Sequence, residues 1–255
     1  INYYLHYFFF NLLFKKYVKN HGQPDIIHAH FSEFTAYTLI KIKEKYKIPY
    51  IITEHSTDFL DGKFLSQYNK DNSSFKIVRK SFKEANYVLC VSSILKYKLR
   101  KIFNLNNFHV LHNFTKKRRT LKYLKKYDFV FVGDLIKRKN PFLLLKTFKK
   151  YFKNSKRKLI IIGNGILLNK MNKYIRFHKL NNVKLLSSIK RNDVLKKISQ
   201  SKIIILTSSH ETFGVVLIEG ISYGLKVIST DSGGPRDIVN KFNGILLKKK
   251  ANIDE

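Results

Sequence analysis

Tryptophan is absent from this chain, and cysteine occurs once, at Cys90. A single thiol excludes an internal disulfide and fits a reducing compartment. Cys90 sits in the apolar run Tyr87-Val88-Leu89-Cys90-Val91, which reads as a buried strand and makes it a packing residue rather than a nucleophile. No stretch reaches 18 uninterrupted apolar residues, so no membrane-spanning helix is expected. The opening INYYLHYFFFNLLFKKYVK lacks a basic leader and a small-residue cleavage site, so it reads as an amphipathic or buried helix, not an export signal. A chain opening on Ile1 instead of Met is expected to lack its beginning. Also missing are an Asp-x-Asp pair, a Walker loop and a G-x-G-x-x-G fingerprint; Gly163-Asn164-Gly165 is too short to count as one. His28 and His30 alternate onto one strand face, but no third ligand follows at a recognisable spacing. No metal and no cofactor is therefore expected.

Acidic residues are scarce. Seventeen Asp and Glu stand against 50 Lys and Arg, giving a formal charge of +33. The lysines are spread through almost every predicted helix and loop, a pattern of compositional drift rather than of a shaped polyanion groove. The interleaved aromatic and basic motif of an RNA-binding sheet is missing, so no nucleic acid partner is expected. An anionic membrane surface would still attract such a chain, at roughly 1 kcal/mol per basic residue close to it. The expected location is cytoplasmic, peripheral at the inner face of the membrane.

Against these absences, 44% of the 255 residues are hydrophobic, enough for two cores of ordinary size. Short apolar runs at 25–30, 49–53, 87–91, 109–111, 129–132, 159–162, 183–186, 203–206, 227–229 and 245–247 read as buried strands. Helical spacing fills 1–19, 33–46, 72–85, 93–103, 141–152, 167–178, 191–199, 215–223 and 235–239. Ser92 is placed to cap one of these helices and Pro141 to open another. Such βα alternation with continuous apolar strands predicts parallel sheets covered on both faces. Between the halves, TKKRRTLKYLKK (115–126) holds seven bases and no acid and reads as a linker. The expected domains are 1–117, partial and N-terminal, and 128–255, C-terminal, both Rossmann-like, with 118–127 between them.

One stretch organises the chemistry: TSSHETFGVVLIEG, residues 207–220. A strand ends, a tight loop follows, and a helix starts near Gly214, with Gly224 placed to end it. Ligands of open α/β sheets bind at such strand ends, where helix N-termini favour anionic or polar groups. Glu211 sits in the loop and Glu219 two turns down the helix. Glu211, seven residues and Glu219, with Phe213-Gly214 between them and Ser232-Gly233-Gly234-Pro235 further on, resemble the signature of the retaining glycosyltransferases of family 4. The resemblance runs from about Pro24 to Leu247.

That resemblance implies the GT-B fold: α/β, two Rossmann-like doubly wound domains facing a cleft, the first one (1–117) incomplete here and acceptor-side, the second (128–255) nucleotide-sugar-binding. It implies a retaining, metal-independent transfer of a hexose-type sugar from a nucleotide-diphosphate donor to a polysaccharide or lipid-linked acceptor. The leaving phosphate would help to deprotonate the acceptor on the same face. By the same resemblance Glu211 and His55, in Thr53-Glu54-His55-Ser56, are the catalytic candidates at the donor sugar. Gly133, Arg138, Lys139, Thr212, Phe213, Gly214, Val215, Glu219, Gly233 and Gly234 are the donor-binding ones, with Lys139 on the diphosphate and Glu219 on the ribose. The family carries an Arg two residues after the strand that ends at Val132. Here that position is Asp134, with Lys137 and Arg138 nearby as substitutes. Two other readings stay open: a non-catalytic basic module for membrane or nucleic acid, and a degenerate remnant that binds nucleotide sugar without turnover.

Overall fold

The computed structural model describes residues 2–116 and 124–248. Residues 118–123 of the expected linker fall outside the described residues. The chain divides into two compact units, 1–112 and 113–255.

The first unit runs α1 (Tyr3–His21), β1 (Ile27–His30), α2 (Ser32–Tyr46), β2 (Tyr50–Glu54), α3 (Asp58–Asp61), α4 (Lys63–Gln67), α5 (Ser73–Glu84), β3 (Tyr87–Cys90), α6 (Ser93–Phe103) and β4 (Phe108–Val110). Its four strands are parallel and lie in chain order, β1-β2-β3-β4. Asn72 and Ser92 cap α5 and α6, accepting from the Ser74 and Leu95 N–H groups and so satisfying donors that a helix start leaves without partners. The short helices α3 and α4, which the apolar spacing does not announce, are separated by Gly62 in a left-handed conformation, φ 82°.

Alternation gives this sheet two unlike faces. Tyr50, Ile52, Val88, Cys90 and Phe108 are fully buried. On the opposite face His28, His30, Tyr87 and His109 are exposed. On that face these side chains stand among the half-buried Ile51 and Leu89 and the buried Thr53.

The second unit runs β5 (Tyr127–Val132), α7 (Pro141–Phe152), β6 (Leu159–Ile162), α8 (Leu168–Phe177), β7 (Val183–Leu186), α9 (Arg191–Ser199), β8 (Ser201–Leu206), α10 (Val215–Ser222), β9 (Lys226–Thr230) and β10 (Gly244–Leu247). Its six parallel strands lie in the order β10-β9-β8-β5-β6-β7. Read from the other edge, this is the 3-2-1-4-5-6 order of a Rossmann sheet, with its switch point between β5 and β8. One apolar cluster gathers Val130, Ile160, Ile204, Leu217 and Val227, and a second gathers Phe131, Leu145, Phe148, Leu159 and Ile161. Each such fully buried side chain contributes roughly 1.5–3 kcal/mol.

Gly224, at φ 75°, ends α10 in a Schellman turn: Leu225 N–H donates to Gly220 O and Gly224 N–H to Ile221 O. The helix expected at 235–239 is instead a single 3₁₀ turn, Gly234–Asp237. Asn240 and Asn243 side chains bond the backbone just beyond it and divert the chain toward β10.

Candidate functional site

The loops after β5 and β8 flank the switch point of the second unit, and the loop after β9 joins them. Residues 137–139 form a 3₁₀ turn, followed by Asn140 at φ 45°. Thr207 Oγ1 donates to the carbonyls of Lys139 (2.9 Å) and Asn140 (3.0 Å). Ser209 N–H donates to Arg138 O (2.8 Å), and the Arg138 guanidinium donates to His210 O (3.3 Å). Glu211 N–H donates to Ser232 O and Gly234 N–H to Glu211 O, at 2.9 and 2.8 Å. The Glu211–Phe213–Gly214 segment and the Ser232–Pro235 segment, two separate signals in the chain, are thus one bonded unit.

Close approach explains two of the glycines. A Cβ on Gly234 would stand 2.3 Å from Thr212 O and 2.4 Å from Phe213 N. Gly214 turns the chain into α10 at φ 102°, a conformation that favours glycine. Gly233 pairs with Glu211 as a parallel bridge, and Gly133 closes β5 with a bond to Ile162 O. Thr212 and Phe213 are buried, while Val215, first residue of α10, is exposed.

Lys139 and Glu211 meet directly: Nζ donates to Oε2 at 2.5 Å, with only 15% and 12% of the two side chains exposed. Ser208 Oγ stands 3.4 Å from the same oxygen. The two groups assigned by resemblance to the diphosphate and the sugar are therefore each other's partners here. Glu219 is likewise buried and paired, with the exposed Arg191 at the start of α9. The spacing of acids along the chain does not point to Arg191; its place just past the C-terminal end of β7 does. Asp134 is exposed, two residues beyond β5.

In the first unit His55 heads a stack of imidazoles. His28 and His30 lie 4.5 Å apart and His30 and His55 5.1 Å apart, between ring centroids. His30 Nδ1 and His55 Nε2 share a hydrogen bond at 2.9 Å, and His28 Nε2 shares one with Thr53 Oγ1 at 2.7 Å. Burial, with the neighbouring imidazoles, pushes the His55 pKa down. Beside it Glu54 is fully buried and accepts four bonds, from Ser32 N–H and Oγ–H and from the His55 and Ser56 N–H groups. Burial pushes its pKa up, while those bonds pull it down. Glu54 ties the start of α2 to the loop carrying His55, a role that its position at a strand end does not disclose. Among the described residues, no group of three or more His, Cys, Asp or Glu is placed to hold a metal ion, and no helix is long and apolar enough to cross a membrane.

This arrangement has counterparts. Residues 113–255 match the family described as Glycosyl transferases group 1, and residues 2–119 match Glycosyltransferase Family 4. An uncharacterized glycosyltransferase of Methanocaldococcus jannaschii is 27% identical over 238 residues, which is 90% of this chain and 63% of that protein. The putative teichuronic acid biosynthesis glycosyltransferase TuaC of Bacillus subtilis is 24% identical over 89% of this chain and 58% of its own length. The chain thus spans about three fifths of these curated relatives. Among solved structures, Anabaena HepE in complex with UDP superposes with a TM-score of 0.74 at 17% identity, over 93% of this chain and 68% of HepE. That likeness places the two Rossmann-like units in the GT-B fold class. Matched by one family or the other over residues 2–255, and by the first over more than half its length, the chain belongs to the group 1 glycosyl transferases.

Proposed function

We propose that the second unit holds a nucleoside diphosphate sugar at its switch point, and that the protein transfers a hexose-type sugar from it to a glycan or lipid-linked hydroxyl. The observation that carries this reading is the convergence of Lys139, Glu211 and the Gly234 loop at the C-terminal ends of β5, β8 and β9. Lys139 faces the diphosphate, whose developing charge a fixed cation stabilises. Glu211 accepts from the sugar hydroxyls, and the N-terminus of α10, through Gly214 and Val215, supplies N–H groups to the same ligand. Glu219, steadied by Arg191, accepts from the ribose hydroxyls. His55 is the catalytic candidate of the first unit. UDP is the nucleotide to test first, because HepE binds it.

The transfer runs with retention. The bond from the anomeric carbon to the phosphate oxygen breaks, a bond to the acceptor oxygen forms on the same face, and the acceptor proton passes to the departing phosphate. No divalent ion takes part, in line with the lack of an Asp-x-Asp pair. The description of TuaC as a putative teichuronic acid biosynthesis glycosyltransferase favours a surface polysaccharide as the product, and the charge of +33 favours work beside an anionic membrane.

Calorimetry with UDP and GDP, followed by turnover of their hexose conjugates with anomeric analysis of the product, tests this. Lys139→Ala and Glu211→Ala should each cut turnover at least about a hundredfold. Unchanged turnover in both contradicts the assignment. Asp134 favours one second reading, a nucleotide-sugar binder without turnover, since an acid replaces the family's arginine there. Binding of UDP-hexose with no hydrolysis or transfer would establish it.

A further inference from the structure

In the first unit, α6 has two unlike faces. Leu95, Leu99 and Phe103, spaced by four, are buried in the core. Tyr97, Arg100 and Lys101, spaced by three and four, stand exposed on the outer face, with the half-buried Lys96 at its border. Asn104, at φ 51°, ends the helix and turns the chain toward β4. The outer stripe of α6 and the turn 104–106 border a cavity of about 560 Å³, a volume within the range of small-molecule pockets.

Charge alone does not make a site here. Exposed lysines are common in a chain with 50 bases, and a helix dipole favours bases in its last turn, which would account for Arg100 and Lys101. Yet these bases line a concavity, and no Asp or Glu is among its lining residues. The Arg100 guanidinium is also held in place, since Nη2 donates to Asn106 Oδ1 at 2.8 Å and ties the helix to the turn. That bond uses one of five donor hydrogens and leaves the others for a ligand. Lys96 lies near the start of α6, where the dipole disfavours a cation. Among the described residues, the ion pairs of the first unit engage Lys41, Lys63 and Lys80 and none of these three bases.

Phosphate suits such a set. Its oxygens accept two parallel bonds from a guanidinium and meet a lysine ammonium as a point charge. Lys96 and Lys101 are five residues apart, about 7.5 Å along the helix axis, so two phosphates engage all three cations better than one. Tyr97, 58% exposed, offers a ring face beside them.

We infer that this groove binds a ligand carrying two phosphates, with Lys96, Arg100 and Lys101 on the phosphate oxygens and the Asn104 and Asn106 amides at the rim. The phosphates belong to a soluble phosphoester or to a lipid headgroup. The groove shares no residue with the donor loops of the second unit.

The test is an NMR titration of the full chain with inorganic phosphate and with pyrophosphate, at constant ionic strength. Pyrophosphate should shift the signals of residues 93–106 to saturation and bind at least about fivefold more tightly than phosphate. The Lys96→Gln, Lys101→Gln double variant should weaken it at least about tenfold. Lys15→Gln, Lys16→Gln, which removes the same charge from exposed positions of α1, should change it by less than about twofold. Co-sedimentation with phosphatidylcholine vesicles, with and without cardiolipin, then separates the sources. Cardiolipin-dependent sedimentation that falls in the 96/101 variant but not in the 15/16 variant upholds the groove and assigns it a headgroup. Equal sedimentation of the two variants, with pyrophosphate still bound at 93–106, upholds it as a site for a soluble phosphoester. The inference is overturned if pyrophosphate shifts only residues 133–139 and 207–219, or if both double variants weaken pyrophosphate equally, since the anion then answers to the general charge of the chain and not to this groove.

Discussion

Replacing Gly234 with alanine adds one methyl group at the join between two loops. An alanine normally stabilises a site whose backbone tolerates it, by about 0.4–1 kcal/mol, because it restrains the unfolded chain. Here the sign reverses. The new Cβ would lie 2.3 Å from Thr212 O and 2.4 Å from both Phe213 N and Cα, where real Cβ atoms essentially never come within 3.0 Å. The gap must open by at least 0.7 Å (3.0 less 2.3), and every blocking atom is backbone, so no side chain can swing clear. Overpacking of this kind costs typically 1–3 kcal/mol. Opening the gap also strains the paired bonds between Glu211 and residues 232–234, each worth about 1 kcal/mol. The expected loss is about 2–4 kcal/mol. Because the start of α10, whose N–H groups are proposed to meet the diphosphate, moves with the Phe213 backbone, UDP affinity should fall at least about tenfold. Urea unfolding followed by circular dichroism, since the chain has no tryptophan to report by fluorescence, measures the first effect and calorimetry the second. Gly22→Ala is the control: nothing lies within 4 Å there, and the change is opposed only by a backbone at φ 82° and ψ 174° that glycine alone enters readily, so about 1–3 kcal/mol should be lost with UDP binding intact. A Gly234→Ala protein as stable as the parent, with unaltered UDP affinity, refutes the close-packed join.

Other perturbations follow from the same geometry. Lys139→Met and Glu211→Gln each strand a largely buried group and should cost roughly 1–3 kcal/mol. The double variant should cost less than their sum by about 1 kcal/mol or more in a urea double-mutant cycle, and strict additivity would mean that the pair does not form. Asp128 is partly buried, which raises its pKa, but bonds from Lys202, the Lys158 N–H and Arg157 outweigh this and hold it at about 2. A depressed carboxylate contributes stability above its ordinary value near 3.9 that is lost as pH falls through about 2. Asp128→Asn should therefore cost about 1 kcal/mol near neutrality, after discounting for the exposed Lys202 and Arg157, and nothing in strong acid; thermal melts across pH decide it. The lowered His55 pKa means that the folded first unit resists protonation there, so this stability is full above about 6.5 and erodes as pH falls below that. His30→Ala removes one neighbouring imidazole and should move the NMR titration of His55 toward the ordinary value; an unmoved midpoint would show that the His30 bond has no hold on it.

Where one residue type meets both a backbone demand and a chemical one, the sequence carries the site in plain view. Gly214 must start a helix at positive φ, Gly233 and Gly234 must let another strand's loop approach, and Glu211 lies between these constraints, so motif and geometry coincide. The six strands of the second unit were legible for a related reason: runs such as Leu159–Ile162 are buried on both faces and so are continuously apolar. Contacts made at long sequence range were not legible. Lys139 and Glu211 are 72 positions apart, and Arg191 and Glu219 are 28 apart; nothing local says that they touch. In the first sheet the short strand Ile27–His30 reads as an apolar run, although His28 and His30 break the pattern and stand exposed. Residues 58–67 fold as two brief helices about Gly62, too short to carry a helical period.

The pairing of Lys139 with Glu211 sets a further condition on ligand binding. A diphosphate that captures Lys139 takes it from Glu211, and leaves a nearly buried carboxylate beside new negative charge. Leaving such a group without partners costs roughly 1–3 kcal/mol. UDP alone cannot repair this, but the hydroxyls of a hexose attached to it can, by donating to the freed oxygens. In Glu211→Gln that cost disappears, since Lys139 starts without its partner and no carboxylate is stranded. The substitution should therefore strengthen UDP binding by about fivefold or more while weakening the extra affinity conferred by the hexose. Calorimetry with UDP and UDP-glucose on the two proteins gives the four constants needed. If Glu211→Gln weakens UDP and UDP-glucose equally, the carboxylate holds the nucleotide rather than the sugar, and the role assigned to Glu211 is wrong.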